Sequence, residues 1–200
     1  MVNETTSQTP SWREFVAEKR RQCQQKILRE WTLSEDLLRI PSRLLKYDLP
    51  RRSGLLSNLE LDITDNHTAT QLLAKLASGQ VSSLAVTTAF CKRAAVAQQL
   101  TSCLTETCLP QALNRAQYLD EYLSHEEKPI ALLHGLPVSL KDSFCIKGLQ
   151  PTTADSENNI FGRTLNPHNT SLTAGGSSGG EGALVAFRGY ISGVGTDIAG

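Results

Sequence analysis

The stretch Gly175-Gly-Ser-Ser-Gly-Gly180 precedes a short helical pattern, and a second glycine-rich turn, Gly195-Thr-Asp-Ile-Ala-Gly200, follows it. A glycine-rich turn at the start of a helix presents backbone N–H groups to an anion or to a developing negative charge. A phosphate-binding loop would need a lysine after the glycines, and a dinucleotide-binding turn would need a glycine where Ile198 stands. Neither pattern is met. A structural linker remains an alternative, but it leaves the paired serines Ser177 and Ser178 without an explanation.

The composition indicates a globular protein without a strongly charged partner. The chain has 200 residues, 40% of them hydrophobic, with 20 basic and 20 acidic side chains and zero formal net charge. With this balance the chain has no net positive potential that would attract nucleic acid. We interpret the basic cluster at 19–21 as a solvated helix face. No apolar run reaches the length of a membrane span. We therefore expect neither a nucleic-acid partner nor a transmembrane segment.

The five cysteines are odd in number and match no common zinc pattern. Cys103 and Cys108, for example, are five positions apart. We expect reduced thiols, no metal ion and a cytoplasmic location.

The chain divides into three regions by composition. Residues 1–10 are polar and are predicted to form a disordered tail. Residues 11–60 predict an N-terminal helix, which Ser11 could cap, followed by an extended arm that Pro41 and Pro50 interrupt. Residues 61–200 predict the main domain.

Within that domain, helical periodicity comes first and strand patterns come later. Helices beside strands predict an α/β fold class. The predicted elements are helices over 68–77, 82–100 and from Pro110 onward, a buried strand over 136–140, a mostly irregular stretch over 147–174, a helix over 181–187 and a strand over 191–194.

Three ordered motifs carry a family resemblance. The run from Gly175 to Leu184 with the turn at 195–200 resembles the signature of the amidase signature family. Gly135-Leu-Pro-Val-Ser-Leu-Lys-Asp142 is similar to the lysine-bearing strand of that family, and residues 154–169 resemble its fungal acetamidase-like branch. The resemblance covers about residues 60–200. It implies an incomplete amidase-signature fold, in which a helical N-terminal layer precedes part of a mixed sheet flanked by helices.

The resemblance also implies a chemistry, the hydrolysis of amides by a Ser–Ser–Lys triad without metal or organic cofactor. Lys141 would be the base, and Ser177 would be the bridging serine, held by a cis peptide after Gly176. Ser178 would orient the turn. The nucleophilic serine would come directly after Gly200. A serine hydroxyl needs a neighbouring base, and a lysine can act as that base only when it is neutral, which burial favours.

The same resemblance implies an oxyanion site. Ile198, Ala199 and Gly200 would offer their backbone N–H groups to the tetrahedral intermediate, each donor being worth about 3–4 kcal/mol in the transition state. The family more often has glycine at the position of Ala199, and alanine resists positive φ.

The chain departs from the family pattern in its spacing. Lys141 and Ser177 are 36 positions apart, whereas the family spacing is about twice that. A strand–helix–strand unit is therefore expected to be missing near 150–153. With the nucleophile also absent, we expect a truncated chain that is inactive and marginally stable alone.

Several alternatives stay open at this point. A glutamine-amidotransferase subunit of the same family would share the fold, and a non-catalytic remnant would share only its surface. His134 and His168 could indicate a Ser–His site, but no acidic partner is recognisable by spacing. A small-molecule amide is the expected substrate, its identity is not determined, and the oligomeric state is unknown.

Overall fold

The computed structural model describes residues 11–149, 151 and 156–197. The predicted disordered tail, 1–10, lies outside this range. Helices dominate residues 11–126, and the short strands found in the described residues come after them. The helices are α1 (Trp12–Gln25), α2 (Glu35–Leu38), α3 (Leu49–Arg52), α4 (Asn58–Asp65), α5 (Ala69–Ala77), α6 (Ser83–Thr101), α7 (Leu109–Glu126) and α8 (Gly179–Ala186). The strands are β1 (Val138–Leu140), β2 (Glu157–Asn158), β3 (Gly162–Arg163), β4 (Leu165–Asn166), β5 (Asn169–Thr173) and β6 (Ser192–Val194).

Local sequence signals explain where the helices begin. Ser57 and Glu60 form a reciprocal capping box at the start of α4, and Thr68 and Gln71 do the same for α5. Each box satisfies two backbone N–H groups that the first helical turn leaves without partners. The side chain of Ser82 caps α6 by accepting a hydrogen bond from a backbone N–H.

Helix α6 is the centre of the core. Along its length Val86, Phe90 and Ala97 are at most 2% exposed, and they pack in one cluster with Leu72 of α5 and Leu184 of α8. α6 is buried on more than one side because α4, α7 and α8 all contact it. The predicted helical layer is thus present, and the α/β class is confirmed.

Helix α1 forms as the periodicity predicts, with Ser11 and Glu14 in a capping box, but none of its residues is buried. Trp12 is 64% exposed and Phe15 is 50% exposed. The sequence pattern predicts this helix but does not tell whether another element covers its apolar side chains.

The arm predicted as extended over 41–60 is instead a series of helical turns. A 3-10 turn spans Leu44–Tyr47 and α3 follows it. Leu44 and Leu49 are each 1% exposed and belong to the main core. Pro50 lies in the first turn of α3, where a missing N–H costs no hydrogen bond, so a proline there is compatible with a helix.

The sheet that carries the site is small. β1 and β6 pair in parallel, with Ser139 opposite Gly193, and α8 lies between them in sequence. β2 pairs with β3 and β4 with β5 as antiparallel pairs, in a stretch predicted to be mostly irregular. The prediction that the first strand is buried was wrong: Val138 is 41% and Leu140 is 43% exposed. In the described part of the chain no element packs over these two side chains closely enough to bury them.

The glycines of α8 allow it to approach the end of α6. A Cβ on Gly180 would lie 2.6 Å from the carbonyl oxygen of Cys103, whereas one on Gly182 would meet no atom within 4 Å. We expect Gly180→Ala to lower the free energy of unfolding by about 1–3 kcal/mol, because α8 must move away. Gly182→Ala should leave stability unchanged or raise it by up to about 1 kcal/mol. Urea titrations of both variants test this. Equal stabilities would contradict the close contact between Gly180 and the carbonyl oxygen of Cys103.

Two buried thiols are expected to make the folded chain less stable as the pH rises into the alkaline range. Burial raises the pKa of Cys91, and likewise that of Cys103, to about 12, whereas an unfolded cysteine ionises near about 8.5. Above that pH the unfolded chain releases protons that the folded chain retains, so the free energy of unfolding falls as pH rises. Each thiol contributes a slope of about 1.4 kcal/mol per pH unit.

Cys91→Ala is therefore expected to make the fall between about pH 9 and 11 shallower by the slope of one thiol. Denaturant titrations at several pH values measure this. Val96→Ala, which removes buried apolar atoms from the same helix, should lower stability at every pH without changing the slope. If Cys91→Ala left the slope unchanged, the Cys91 thiol would ionise as readily in the folded chain as in the unfolded one.

Candidate active site

Lys141 follows β1 directly, and the strand pairing positions its backbone. Its N–H donates to the carbonyl oxygen of Val194 at 2.9 Å, which continues the ladder between β1 and β6 by one residue. The residue is only 7% exposed. A lysine at the end of a strand is ordinarily solvated, so this burial requires polar partners at the amine.

Those partners are two hydroxyl groups. The Lys141 Nζ lies 2.6 Å from Ser177 Oγ, and it also hydrogen-bonds Thr196 Oγ1. The three side chains come from the end of β1, from the glycine turn before α8 and from the segment after β6. A charged amine donates to both oxygens, whereas a neutral amine can accept the proton of Ser177. The structure therefore brings together the predicted base and the predicted bridging serine.

The glycine turn has a backbone that suits glycine. Gly175 and Gly176 have φ values of 76° and 57°, in the left-handed region that other residues adopt at a cost. Ser156, which is 8% exposed, donates to the carbonyl oxygen of Gly175 at 2.9 Å and also contacts that of Gly176. A Cβ on Gly179 would lie 2.1 Å from the same serine oxygen. Ser156 thus supports the turn that carries Ser177.

The predicted cis peptide after Gly176 is absent. Among the described residues every peptide bond is trans. The two left-handed glycines reverse the chain and direct Ser177 toward Lys141 with trans bonds alone. A trans bond avoids the 3–4 kcal/mol or so that a cis bond before a residue other than proline costs.

Ser178 connects the glycine turn to the segment after β6. Its Oγ donates to the carbonyl oxygen of Thr196 at 3.0 Å, and the N–H of Thr196 donates to Ser178 Oγ at 3.3 Å. Ser178 therefore fixes the backbone of the residue whose side chain contacts Lys141. The orienting role that the resemblance implies for Ser178 stays a prediction.

A carboxylate cluster supports the sheet from the α8 side. Ser139 and Tyr190 both donate their hydroxyl groups to Glu181 Oε2. Burial, together with the hydrogen bond to Glu181, raises the pKa of Tyr190 above its ordinary value. A Cβ on Gly193 would lie 2.5 Å from both the Glu181 carboxylate and the Tyr190 ring. Glycine at this position of β6 is what allows the cluster to pack against the sheet.

Sequence reasoning missed the roles of Thr196, Ser156 and Glu181. Thr196 and Glu181 lie inside the quoted motifs, and the alternation of β1 places Ser139 on the face opposite Val138 and Leu140. These signals do not identify the partner that each of the residues meets in the folded chain.

The predicted oxyanion residues Ile198, Ala199 and Gly200 lie outside the described residues. Of the two histidines, His134 is buried and its Nδ1 accepts a hydrogen bond from the N–H of Ile130 at 3.2 Å. His168 donates its backbone N–H to Asn166 Oδ1 at 2.9 Å. The hydrogen bonds found for Ser177 and Lys141 involve neither ring.

Within 11–149, 151 and 156–197, no group of three or more His, Cys, Asp or Glu side chains is arranged to hold a metal ion. No helix in this part of the chain combines the length and the apolar character needed to cross a membrane.

The residues that form this site lie in a part of the chain that resembles known proteins. A family model described as "Amidase" matches the chain in two stretches, 85–156 and 152–200. A "Putative amidase kk1C" from Curvularia clavata is 42% identical over 230 residues, which cover 96% of this chain and 43% of that protein. An "Acetamidase" from Emericella nidulans is 40% identical over 229 residues, covering 95% of this chain and 41% of that one.

The solved structures give a matching result. A "Fatty acid amide hydrolase" superposes with a TM-score of 0.83 at 32% identity, covering 94% of this chain and 40% of that chain. The fold is therefore a partial amidase-signature fold. This chain spans about two fifths of the length of each of these relatives.

The sequence alignments are longer than the chain itself. The alignment with the Emericella nidulans acetamidase extends over 229 positions, while 95% of 200 residues is about 190, so about 39 positions of the relative face a gap in this chain.

Proposed function

Because this chain belongs to the amidase family, we propose that it carries the base and the bridging serine of a site that hydrolyses carboxamides. Lys141 is the base and Ser177 is the bridge. The observation that carries the proposal is the distance of 2.6 Å between Lys141 Nζ and Ser177 Oγ, at an amine whose residue is 7% exposed. An amine and a hydroxyl at this distance can exchange a proton directly.

The proposed proton path has two steps. In its neutral form Lys141 takes the proton of Ser177, and Ser177 takes the proton of a nucleophilic serine that would follow Gly200. The resulting alkoxide attacks the amide carbon and forms a tetrahedral oxyanion, which the N–H groups of residues 198–200 would stabilise. When the C–N bond breaks, the proton returns through Ser177 to the leaving amine, and the acyl group stays on the nucleophilic serine as an ester. Water, deprotonated through the same groups, then attacks the ester carbon, and the carboxylic acid leaves as the serine takes its proton back.

Two other groups maintain this geometry. The Thr196 hydroxyl is a second acceptor for Lys141 Nζ and limits the directions that the amine can take. Ser156 supports the carbonyls of the glycine turn beneath Ser177. A bridging hydroxyl is useful only while both of its neighbours stay within hydrogen-bond reach.

The proposed substrate class is small or acyl carboxamides, with no cofactor. The names of the relatives, an acetamidase and a fatty acid amide hydrolase, support this class. The resemblance of residues 154–169 to the acetamidase-like branch favours it over an amidotransferase.

We also propose that a polypeptide of these 200 residues does not turn over amides by itself. It would lack the nucleophile and the unit expected near 150–153. The two-stretch family match, with its boundary at 152–156, supports the missing unit.

Two proteins test the proposal. One is the 200-residue polypeptide. The other is a chimera that carries, between Pro151 and Ser156, the residues that the Emericella nidulans acetamidase has between the corresponding positions, and whose downstream part, from the same acetamidase, follows Gly200. Ammonia release from acetamide is expected from the chimera and not from the shorter polypeptide. Turnover by the 200 residues alone, or a folded chimera without activity, would overturn the proposal.

A further inference from the structure

Two side-chain hydrogen bonds join β1 and the residue after it to the segment that forms the glycine turn and α8. Ser139 Oγ donates to Glu181 Oε2 at 2.5 Å, and Lys141 Nζ lies 2.6 Å from Ser177 Oγ. Ser139 and Lys141 are two positions apart, so their side chains point to the same face of the strand. Glu181 is in the first turn of α8, and Ser177 is four positions earlier in the chain. The two bonds are therefore neighbours between the same two segments.

The Glu181 carboxylate has a fixed place on the sheet. Tyr190, which is 5% exposed, donates its hydroxyl to the same oxygen, Oε2. Gly193 pairs with Ser139 across the two strands, and a Cβ on Gly193 would lie 2.5 Å from Oε2. The carboxylate thus fills the space that this glycine leaves, and it cannot move along β1 without breaking a hydrogen bond to one of the two hydroxyls.

The pairing of the two strands does not by itself set the distance between Lys141 and Ser177. The N–H of Lys141 donates to the carbonyl oxygen of Val194, which holds β1 to β6. Ser177 belongs to another segment, and it follows two glycines with left-handed backbones, a residue type that has wide conformational freedom. The bond from Ser139 to Glu181 holds this second segment directly against the strand that precedes the lysine.

We infer that Glu181 is a positioning residue for the proposed reaction. By accepting the hydrogen bond of Ser139, it holds α8 against β1 and so keeps Lys141 and Ser177 at the distance at which a proton can pass. The inference rests on the proposed function, and it assigns to Glu181 and Ser139 no contact with the substrate. Displacing a reacting group by about 1 Å can cost about a hundredfold in rate, so a bond two residues from the amine is close enough to matter.

Ser139→Ala in the acetamidase chimera is the main test, because it removes one hydroxyl and leaves a residue that a strand accommodates. We expect kcat for acetamide to fall about tenfold, with KM altered little. Ser139→Thr keeps a hydroxyl on the same carbon and is expected to retain kcat to within about threefold of the parent. The matched control is Ser171→Ala, whose hydroxyl donates to Asn169 within β5, and kcat should then stay within about twofold.

A second background separates positioning from a general weakening of the fold. If Ser139 acts through Lys141, Ser139→Ala should cause no further loss of kcat in a chimera that already carries Lys141→Met. A general weakening would lower kcat in both backgrounds. Glu181→Gln retains an oxygen acceptor for Ser139, so it should lose less kcat than Glu181→Ala does.

A further readout requires no turnover. In the 200-residue chain an N-hydroxysuccinimide ester should acylate Lys141 slowly, because this residue is 7% exposed and its amine is hydrogen-bonded. Mass spectrometry compares the rate with that of the exposed Lys147 in the same sample. Ser139→Ala is expected to raise the ratio of the two rates by about threefold or more, since the amine is then released from Ser177 more often. Ser171→Ala should leave the ratio unchanged.

Three results in an active chimera would overturn the inference. They are a normal kcat in Ser139→Ala, a loss that is equally large in Ser139→Thr, and an equal further loss in the Lys141→Met background. If the parent chimera is inactive, the proposed function fails, and the acylation ratio alone tests whether Ser139 and Glu181 hold Lys141 in place. A ratio that Ser139→Ala leaves unchanged would then overturn the positioning role.

Discussion

Replacing Lys141 with methionine in the chimera is expected to lower kcat for acetamide by about a thousandfold. Proton transfer by a positioned side chain contributes roughly 10²–10⁴ to a rate, and Lys141 is the one amine found beside Ser177 in the described residues. Methionine nearly preserves the length and apolar body of the side chain and removes the proton acceptor. The change should appear in kcat, with KM altered little, since the amine is proposed to act on the bridging hydroxyl and not on the substrate.

Lys147→Met is the matched control. Lys147 lies six residues further along the same loop and is exposed, so its replacement should leave kcat within about twofold of the parent. Ser177→Ala should resemble Lys141→Met, and the double variant should be little worse than either single one, because residues that act as a unit are not additive. Near-normal kcat in Lys141→Met would assign the proton transfer to another group.

Replacing Arg93 with leucine is expected to cause the largest loss of stability, about 3–5 kcal/mol. Arg93 is 6% exposed and donates to the carbonyl oxygen of Phe187, to Thr64 Oγ1 and to Asp65 Oδ1, at 2.7, 2.7 and 2.5 Å. It therefore connects α6 to the end of α4 and to the residue that follows α8. Removing one partner of a buried ion pair leaves the other charge and several acceptors without compensation.

Arg39→Leu is the control for this prediction. Arg39 pairs with Glu35, but the two side chains are 74% and 80% exposed, and exposed pairs contribute at most about 1 kcal/mol. Urea unfolding followed by circular dichroism measures both variants. A loss below about 1 kcal/mol for Arg93→Leu would mean that the buried network does not hold these three helices together.

The stability prediction also concerns the site. Phe187 follows α8, and α8 begins at the turn that carries Ser177. If Arg93→Leu loosens the end of α8, the distance between Lys141 and Ser177 should become less well defined. A lower kcat in the Arg93→Leu chimera, measured well below its unfolding temperature, would show this connection.

Much of the helical part follows from sequence alone. Thr68 and Ser82 identify helix starts because an N-cap acts on N–H groups two or three residues away. Ser57 caps a helix that begins inside the arm predicted as extended. The buried positions Val86, Phe90 and Ala97 of α6 follow from periodicity, because apolar residues three or four positions apart lie on the same face of any α-helix. Lys141 and Ser177 were identified by resemblance, through motifs, and the structure places them together.

Other features required the folded chain. The cis peptide expected after Gly176 is trans, and the strand expected to be buried is half-exposed. The contact of Lys141 with Thr196, across 55 positions, and that of Ser156 with the glycine turn depend on how distant segments pack. Neither residue type nor local spacing specifies such a contact.

The sequence by itself determined the longer helices, several of their caps and the family, because each depends on residues close together in the chain or on a motif. It did not predict the helical turns over 44–52. The tertiary structure decided which hydroxyls surround the buried amine, which glycines have no room for a side chain, and that Val138 and Leu140 of β1 are half-exposed. These properties depend on the distances between segments brought together by folding, and such distances are fixed only when the core around α6 packs.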